Sequence, residues 1–285
     1  MRPRSVLIVA ITLVLSVGAG LVLVRQFGHH LPMTVGKGCT VSTGSGTVAL
    51  TTSQMANAAT IAAVGIRRNL PERAIVVALA TAFQESRLEN VSYGDRDSVG
   101  LFQQRPSQGW GDADQIQDPR YAADKFYSAL VKVRGWQDLR ITEAAQRVQR
   151  SAYPEAYQRW SDESEVLVEA LAGRATSAVS CGRAGEPPER GLVAAQALGH
   201  GLRLDWGSMA ATATAGLLGV EVTASQERVA WQYAHWLVAH SAEKGVERVR
   251  YRDQEWTARS GAWRTLADPG GDDRADRVVA EVYQS

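Results

Sequence analysis

The sequence predicts a mainly α-helical protein: an N-terminal apolar helix, a helical domain, and then a small α/β domain. Three patterns carry that prediction. An uncharged run over residues 6–24 opens the chain. Apolar residues then recur at helical spacing between residues 54 and 173, with no sustained alternation to compete. Beyond residue 190, β-branched segments at 220–223, 246–251 and 278–283 read as short strands around one long helix.

The opening run is nineteen residues without a charge, with Arg2 and Arg4 ahead of it and Arg25 closing it. About 20 apolar residues span a bilayer as a helix, and basic residues ahead of such a helix favour a cytoplasmic N-terminus. Residues 1–25 are therefore expected to anchor the chain in the cytoplasmic membrane with everything after them outside. A cleaved signal peptide is the competing reading, because Val17, Gly18, Ala19 and Gly20 are rich in small residues. The apolar run continues to Val24, which favours retention.

Residues 26–53 read as an extracytoplasmic tether, since Gly, Ser and Thr dominate them and bury little apolar surface. Cys39 lies inside this stretch, and the other cysteine, Cys181, lies just past the last helix of the first domain. Two cysteines flanking one domain of an exported chain fit a single bridge, the alternative being two free thiols.

A length of 285 residues suits two moderate domains, here 54–173 and 191–285 with a Pro- and Gly-containing linker at 174–190. The net charge of +1 lends no support to a nucleic-acid partner, and nothing in the sequence implies a cofactor or names a protein partner. In the first domain a helix is expected from Met55 to Arg68, and Pro71 suits the first turn of a second one ending at Glu85. Asp118 and Pro119 form a cap and a first-turn proline, Thr142 suits a further cap, and a last helix is expected over 156–171. A small hairpin is the reading for 92–104. In the second domain 202–206 and 220–223 read as strands, and Ser225 suits the cap of a helix stopped by Gly245.

The chemistry concentrates between Ala80 and Gly111. An apolar, Ala-rich helix ends in a carboxylate, Glu85, and a polar loop carrying Gly94, Asp95 and Asp97 follows, then Gly100, Leu101, Phe102 and Gln103. A carboxyl in an apolar setting keeps its proton more readily, as a glycosidic general acid must. The plainer reading of Glu85 is a solvated residue in a last helical turn.

Gln84-Glu85-Ser86, Gly100-Leu101-Phe102-Gln103 and Ser151-Ala152-Tyr153, in that order, resemble the motifs of the soluble lytic transglycosylase branch of the lysozyme superfamily. That family carries a Glu-Ser pair, a Gly-Leu-Met-Gln-like turn and a later Ala-Tyr pair. The string GDRDSVGLFQQRPSQGWG looks like the actinobacterial, membrane-anchored subset, and the resemblance covers roughly residues 50 to 172. It implies a lysozyme-like helical fold and cleavage of the β-1,4 bond between N-acetylmuramic acid and N-acetylglucosamine, with Glu85 as acid and base. Peptidoglycan glycan strands would be the ligand, Gly100, Gln103 and Tyr153 would help position it, and Ser86 would support Glu85 or the adjacent backbone. Hydrolases of this type add a second carboxylate, for which Asp97 and Asp95 are the nearest in sequence; their other role is loop capping around Gly94. Lytic transglycosylases need no second carboxylate, and the sequence leaves both outcomes open. Phe102 and Trp110 offer faces for stacking on sugars or for loop packing. The rival to an enzyme is a glycan-binding or scaffold protein of the cell envelope.

The stretch from Trp231 to Trp263 looks like the C-terminal module of some actinobacterial wall proteins, itself similar to zinc D,D-peptidases. The chain departs from that pattern where the metal would sit. Its terminal segment has no histidine, and His235 and His240, five apart, diverge on a helix. The expectation is a non-catalytic domain without a metal.

Overall fold

A computed structural model describes residues 38–182, 185–207, 211–212, 217–267 and 276–284. The apolar run at 6–24 lies outside these residues, and so does the anchor expected there. Among the described residues no helix is long and apolar enough to cross a membrane.

The stretch expected to be a tether begins the fold instead. Strands β1 (Cys39–Thr43) and β2 (Gly46–Leu50) form an antiparallel hairpin, and β3 (Val179–Cys181) pairs on the other side of β1. Composition misleads here. Cys39 and Val41 on one strand, and Val48 and Leu50 on the other, alternate inward and are buried. A period-2 pattern within a Gly- and Thr-rich stretch is enough to make a half-buried sheet once a helix covers it.

The helices follow. α1 (Thr52–Arg67) starts with a capping box, in which Gln54 N–H donates to Thr51 Oγ1 and Thr51 N–H to Gln54 Oε1. α2 (Glu72–Ser86) is buried on every side from Ala74 to Phe83, which is why small residues fill it and why it can serve as the central helix. α3 (Ala113–Ile116) packs on α4 (Pro119–Leu130), and α1, α4, α5 (Ile141–Gln149) and α6 (Ser161–Leu171) surround α2. Asp118 caps α4 with Pro119 in its first turn, as expected. Elsewhere the local details shift: Pro71 precedes α2 as its N-cap, Arg140 takes the cap expected of Thr142, and the helix expected over 156–171 divides into a 3-10 turn, Gln158–Trp160, and α6. The hairpin expected at 92–104 reduces to one bridge between Val99 and Gln104.

The remaining chain adds α7 (Gly191–Trp206), β4 (Ala211–Thr212), β5 (Gly219–Thr223), α8 (Glu227–Ala239), α9 (Ser241–Lys244), β6 (Val246–Tyr251), β7 (Gln254–Thr257), β8 (Trp263–Thr265) and β9 (Arg277–Val282). The strands make one antiparallel sheet in the order β4-β5-β9-β6-β7-β8. Three strand segments and the Gly245 stop agree with the sequence reading, whereas 202–206 is the end of α7 and not a strand. Gln226, not Ser225, caps α8.

The fold is mixed α/β, and the described residues belong to one compact unit. The expected linker carries β3, which closes the first sheet through Cys39 and Cys181, directly opposite each other and disulfide-bonded. α8 packs on α1, α6 and β3. Its buried His235 accepts from the Ala178 N–H through Nε2 at 3.0 Å and meets the Ala170 carbonyl through Nδ1 at 2.8 Å. Asp205, fully buried in α7, accepts from Thr60 Oγ1 at 2.9 Å, from Trp236 Nε1 at 2.7 Å and from Arg120 Nε. Residues widely separated in sequence therefore share one polar network, and the boundary expected near residue 190 does not part the core.

Candidate active site

Glu85 sits in the last turn of α2, half-buried, where a helix whose middle is buried from Ala74 to Phe83 first meets polar loops. The helix closes through two consecutive left-handed residues, Arg87 (φ 58°) and Leu88 (φ 61°), whose N–H groups donate to Phe83 O and Ala82 O. Non-glycine residues adopt that region at a cost and only where the surroundings impose it. Leu88, fully buried, is the surrounding that imposes it here. The strained exit fixes the backbone immediately after Glu85.

Two side chains converge on one oxygen of that carboxylate. Tyr157 Oη donates to Glu85 Oε1 at 2.7 Å, and Gln149 Nε2 donates to the same oxygen at 3.1 Å. Gln149 also reaches the Phe102 carbonyl at 2.8 Å, so the end of α5 ties Glu85 to the Gly100–Gln103 turn. Burial raises the Tyr157 phenol well above its usual range, with the Glu85 charge adding to the effect, and the group stays a hydrogen-bond donor at all working pH values. Among the described residues no side chain bonds Oε2.

Ser86 adds a second tie, donating to Leu101 O at 2.8 Å while touching Ala82 O at 3.1 Å. The turn it holds needs a glycine. Gly100 has φ 77°, and a Cβ there would stand 2.8 Å from the Ile116 carbonyl. Phe102 is buried and stacks on Phe126 with ring centroids 4.7 Å apart, so it anchors the turn and presents no face to a sugar. Gln103, at φ 47°, spends its amide within the loop, donating to Tyr93 O at 3.3 Å and Gly100 O at 3.2 Å.

The two loop carboxylates do not join Glu85. Asp97 accepts from Ser107 N at 2.7 Å, Ser107 Oγ at 3.0 Å and Arg105 Nε at 3.0 Å, and these donors, the Ser107 amide first, hold it well below the usual carboxylate range. Asp95 is exposed with Arg96 as its ion partner at 4.0 Å. Both serve the loop.

Tyr153 lies 75 % exposed, and its own N–H donates to Ser151 Oγ. The Ala-Tyr pair that reaches Glu85 is the next one, Ala156-Tyr157. Sequence reasoning stopped at the first of two such pairs four residues apart, and it missed Gln149 altogether. Pro154 between the tyrosines was the available signal, since the chain must turn there before the 3-10 segment. Behind Tyr157, Trp160 stacks on Phe83 at 5.1 Å and donates to Gln84 Oε1 at 3.0 Å, pinning that segment to α2.

A cleft of about 880 Å³ opens beside this cluster, with Trp110, Val133, Val148 and Gln149 among its lining residues. Gln149 thus faces both the cleft and Glu85. Among the described residues no group of three or more His, Cys, Asp or Glu side chains is arranged to hold a metal. No family model matches this chain, and no curated protein matches it.

Proposed function

We propose that this protein is a membrane-anchored, extracytoplasmic enzyme that cuts peptidoglycan strands at the β-1,4 bond following N-acetylmuramic acid, and that it does so as a lytic transglycosylase. The observation that carries the reading is the clamp on Glu85: both donors fall on Oε1, so Oε2 is the oxygen left to carry a transferable proton. A carbonyl-like Oε1 accepts both bonds in the acid form, and the same bonds strengthen when the carboxylate forms.

In this reaction Glu85 gives its Oε2 proton to the glycosidic oxygen while the C1–O4 bond breaks, and the N-acetylglucosamine leaves with a free 4-hydroxyl. The carboxylate then takes the proton of the muramoyl 6-hydroxyl, whose oxygen bonds to C1. The product is a 1,6-anhydro ring, no water is consumed, and Glu85 regains its proton. Two features favour this course over hydrolysis: Asp97 and Asp95 are committed to the loop, and Tyr157 with Gln149 stabilise the base that the second step requires. The similarity of the Glu85-Ser86 pair and the Gly100–Gln103 turn to motifs of the lysozyme superfamily supports cleavage of the strand.

Digestion of purified peptidoglycan by the full chain, with mass analysis of the soluble products, tests it. Muropeptides lighter by one water than the hydrolysed species are expected. Products with ordinary reducing ends would make the protein a muramidase, and binding to the wall without release of fragments would make it the non-catalytic glycan-binding protein of the alternative reading.

A further inference from the structure

The cleft beside Glu85 is walled by charge of one sign. Lys125, Lys132, Arg147 and Arg150 line it, from α4, α5 and the residues just past their ends. The one carboxylate of the lining is Asp124, which Arg68 already holds at 2.5 Å. Among the described residues none of the four forms a salt bridge: Lys125 lies over the Tyr121 ring at 5.0 Å, and Arg147 reaches the Arg134 carbonyl at 3.4 Å with Glu143 near enough to feel its charge. A concave surface lined by one sign of charge focuses its field and concentrates the opposite charge. The carbonyl ends of α4 and α5 account for Lys132, Arg147 and Arg150 taken singly, but not for their meeting, with Lys125, around one cleft.

We infer that this cleft seats the free carboxylates of the peptide stems borne by the muramoyl residues, so that the enzyme prefers stem-bearing strands to stripped ones. The inference rests on the reading of Glu85 as the group that cuts the strand. Position selects the ligand. Gln149 lines the cleft and bonds Glu85 Oε1, so whatever fills the cleft lies within one sugar of the cleaved bond. In the proposed reaction that bond joins a muramoyl unit to an N-acetylglucosamine, and of the two only the muramoyl unit bears an acidic substituent. A volume of about 880 Å³ falls in the range of ~300–1,000 Å³ typical of ligand clefts and admits a short peptide.

The test compares kcat/KM of the full chain on strands with intact stems and on strands stripped by an amidase, for the natural protein and for a Lys132→Gln, Arg150→Gln double variant. Both side chains are exposed, so the variant is expected to fold, and its melting temperature is measured alongside. The natural protein is expected to prefer stem-bearing strands. The double variant should lose about three- to thirty-fold of that preference, the size expected for two solvent-exposed ion pairs, and high salt should reduce it likewise. An unchanged preference in the double variant, with only the melting temperature lowered, would overturn the inference and leave the cations as helix-end partners. Should the natural protein cut neither substrate, the reading of Glu85 fails, and titration of a soluble muramoyl tetrapeptide decides the cleft separately. Binding weakened in the double variant supports it, and absence of binding to the natural protein overturns it.

Discussion

The Tyr157 hydroxyl donates to Glu85 Oε1 at 2.7 Å across a separation of 72 residues, and it is the shortest of the hydrogen bonds made to that carboxylate. The ring itself is fully buried. Replacing Tyr157 by Phe therefore removes the bond and keeps most of the packing. A hydrogen bond to a charged group is worth about 1.5–3 kcal/mol; if it forms fully when the carboxylate does, kcat should fall roughly 10- to 100-fold with little change in KM. Glu85→Gln should fall further, by about 100-fold or more, with a melting curve close to that of the natural protein. Full wall-clearing activity in the Glu85 variant would remove it from the role of acid.

Asp97 gives the contrasting case. Its oxygens are filled by Ser107 and Arg105, and the depressed titration that results belongs to a loop clamp. Asp97→Asn should keep kcat within a few-fold while loosening the turn after Gly100, visible as faster amide exchange in residues 97–109. Because the folded carboxylate titrates below its ordinary value of 3.8, its contribution to loop stability is present above that pH and is lost as the pH falls below it. A large loss of kcat at neutral pH, with normal exchange and ordinary reducing ends in the product, would place Asp97 in the chemistry and favour hydrolysis.

Much of this was legible locally. A helix of alanines and aliphatics that ends in Glu85 reads as a buried element delivering a carboxylate to a polar edge, and so it is built. The Gly100 turn was legible too, because only glycine suits its conformation. The partners of Glu85 were not. Tyr153 and Tyr157 follow alanines four residues apart, and only packing decides which one turns inward. The contacts that join 191–285 to the helices before it were not legible either. His235 meets Ala170 and Ala178, and Asp205 meets Thr60 and Arg120; contacts over such separations leave no periodicity in the sequence, whereas the Pro- and Gly-containing stretch near them looks like a linker.

The bridge between Cys39 and Cys181 spans 142 residues and joins strands already paired in register. Loop-entropy arguments give about 5 kcal/mol for a closed loop of that size. Reduction under native conditions, or a Cys39→Ser, Cys181→Ser double variant, should lower the urea midpoint strongly while leaving the far-ultraviolet dichroism of the folded state unchanged. Two alkylatable thiols in unreduced protein recovered from outside the cytoplasm would contradict the pairing.

Asp205 holds three donors in a site without solvent exposure. Its replacement by Ala leaves Thr60 and Trp236 without their buried acceptor and Arg120 with Asp118 alone, at 3.6 Å. Leaving buried donors unpaired costs about 1–3 kcal/mol each. Since the donors come from α1, α4 and α8, the loss should move a single cooperative unfolding transition and not split it. Two separate calorimetric transitions in the natural protein would show that 191–285 unfolds as a domain after all.

His235 makes the same junction sensitive to acid. Its Nε2 accepts from the Ala178 N–H, so Nδ1 carries the hydrogen and donates to Ala170 O, and only the neutral ring fits both bonds. Burial pushes its pKa down to about 4 from 6.5, against a smaller opposing pull from the Ala170 carbonyl. The sign follows from proton counting. Between those two values the unfolded chain binds a proton that the folded one refuses, so stability is complete above about pH 6.5 and declines as the pH falls towards 4. The loss is on the order of 3 kcal/mol over that span. Glu243 contributes only lower down: burial pushes it up, but the His240 imidazole and the Lys244 ammonium outweigh that and hold it at about 2. Of these two groups only His235 is displaced between pH 6.5 and 4.5. Urea midpoints measured at half-unit steps should fall through this range in the natural protein. In His235→Gln the midpoint should start lower, because one of the two bonds is lost, and vary less with pH. Equal slopes in the two proteins would show that the acid sensitivity arises elsewhere.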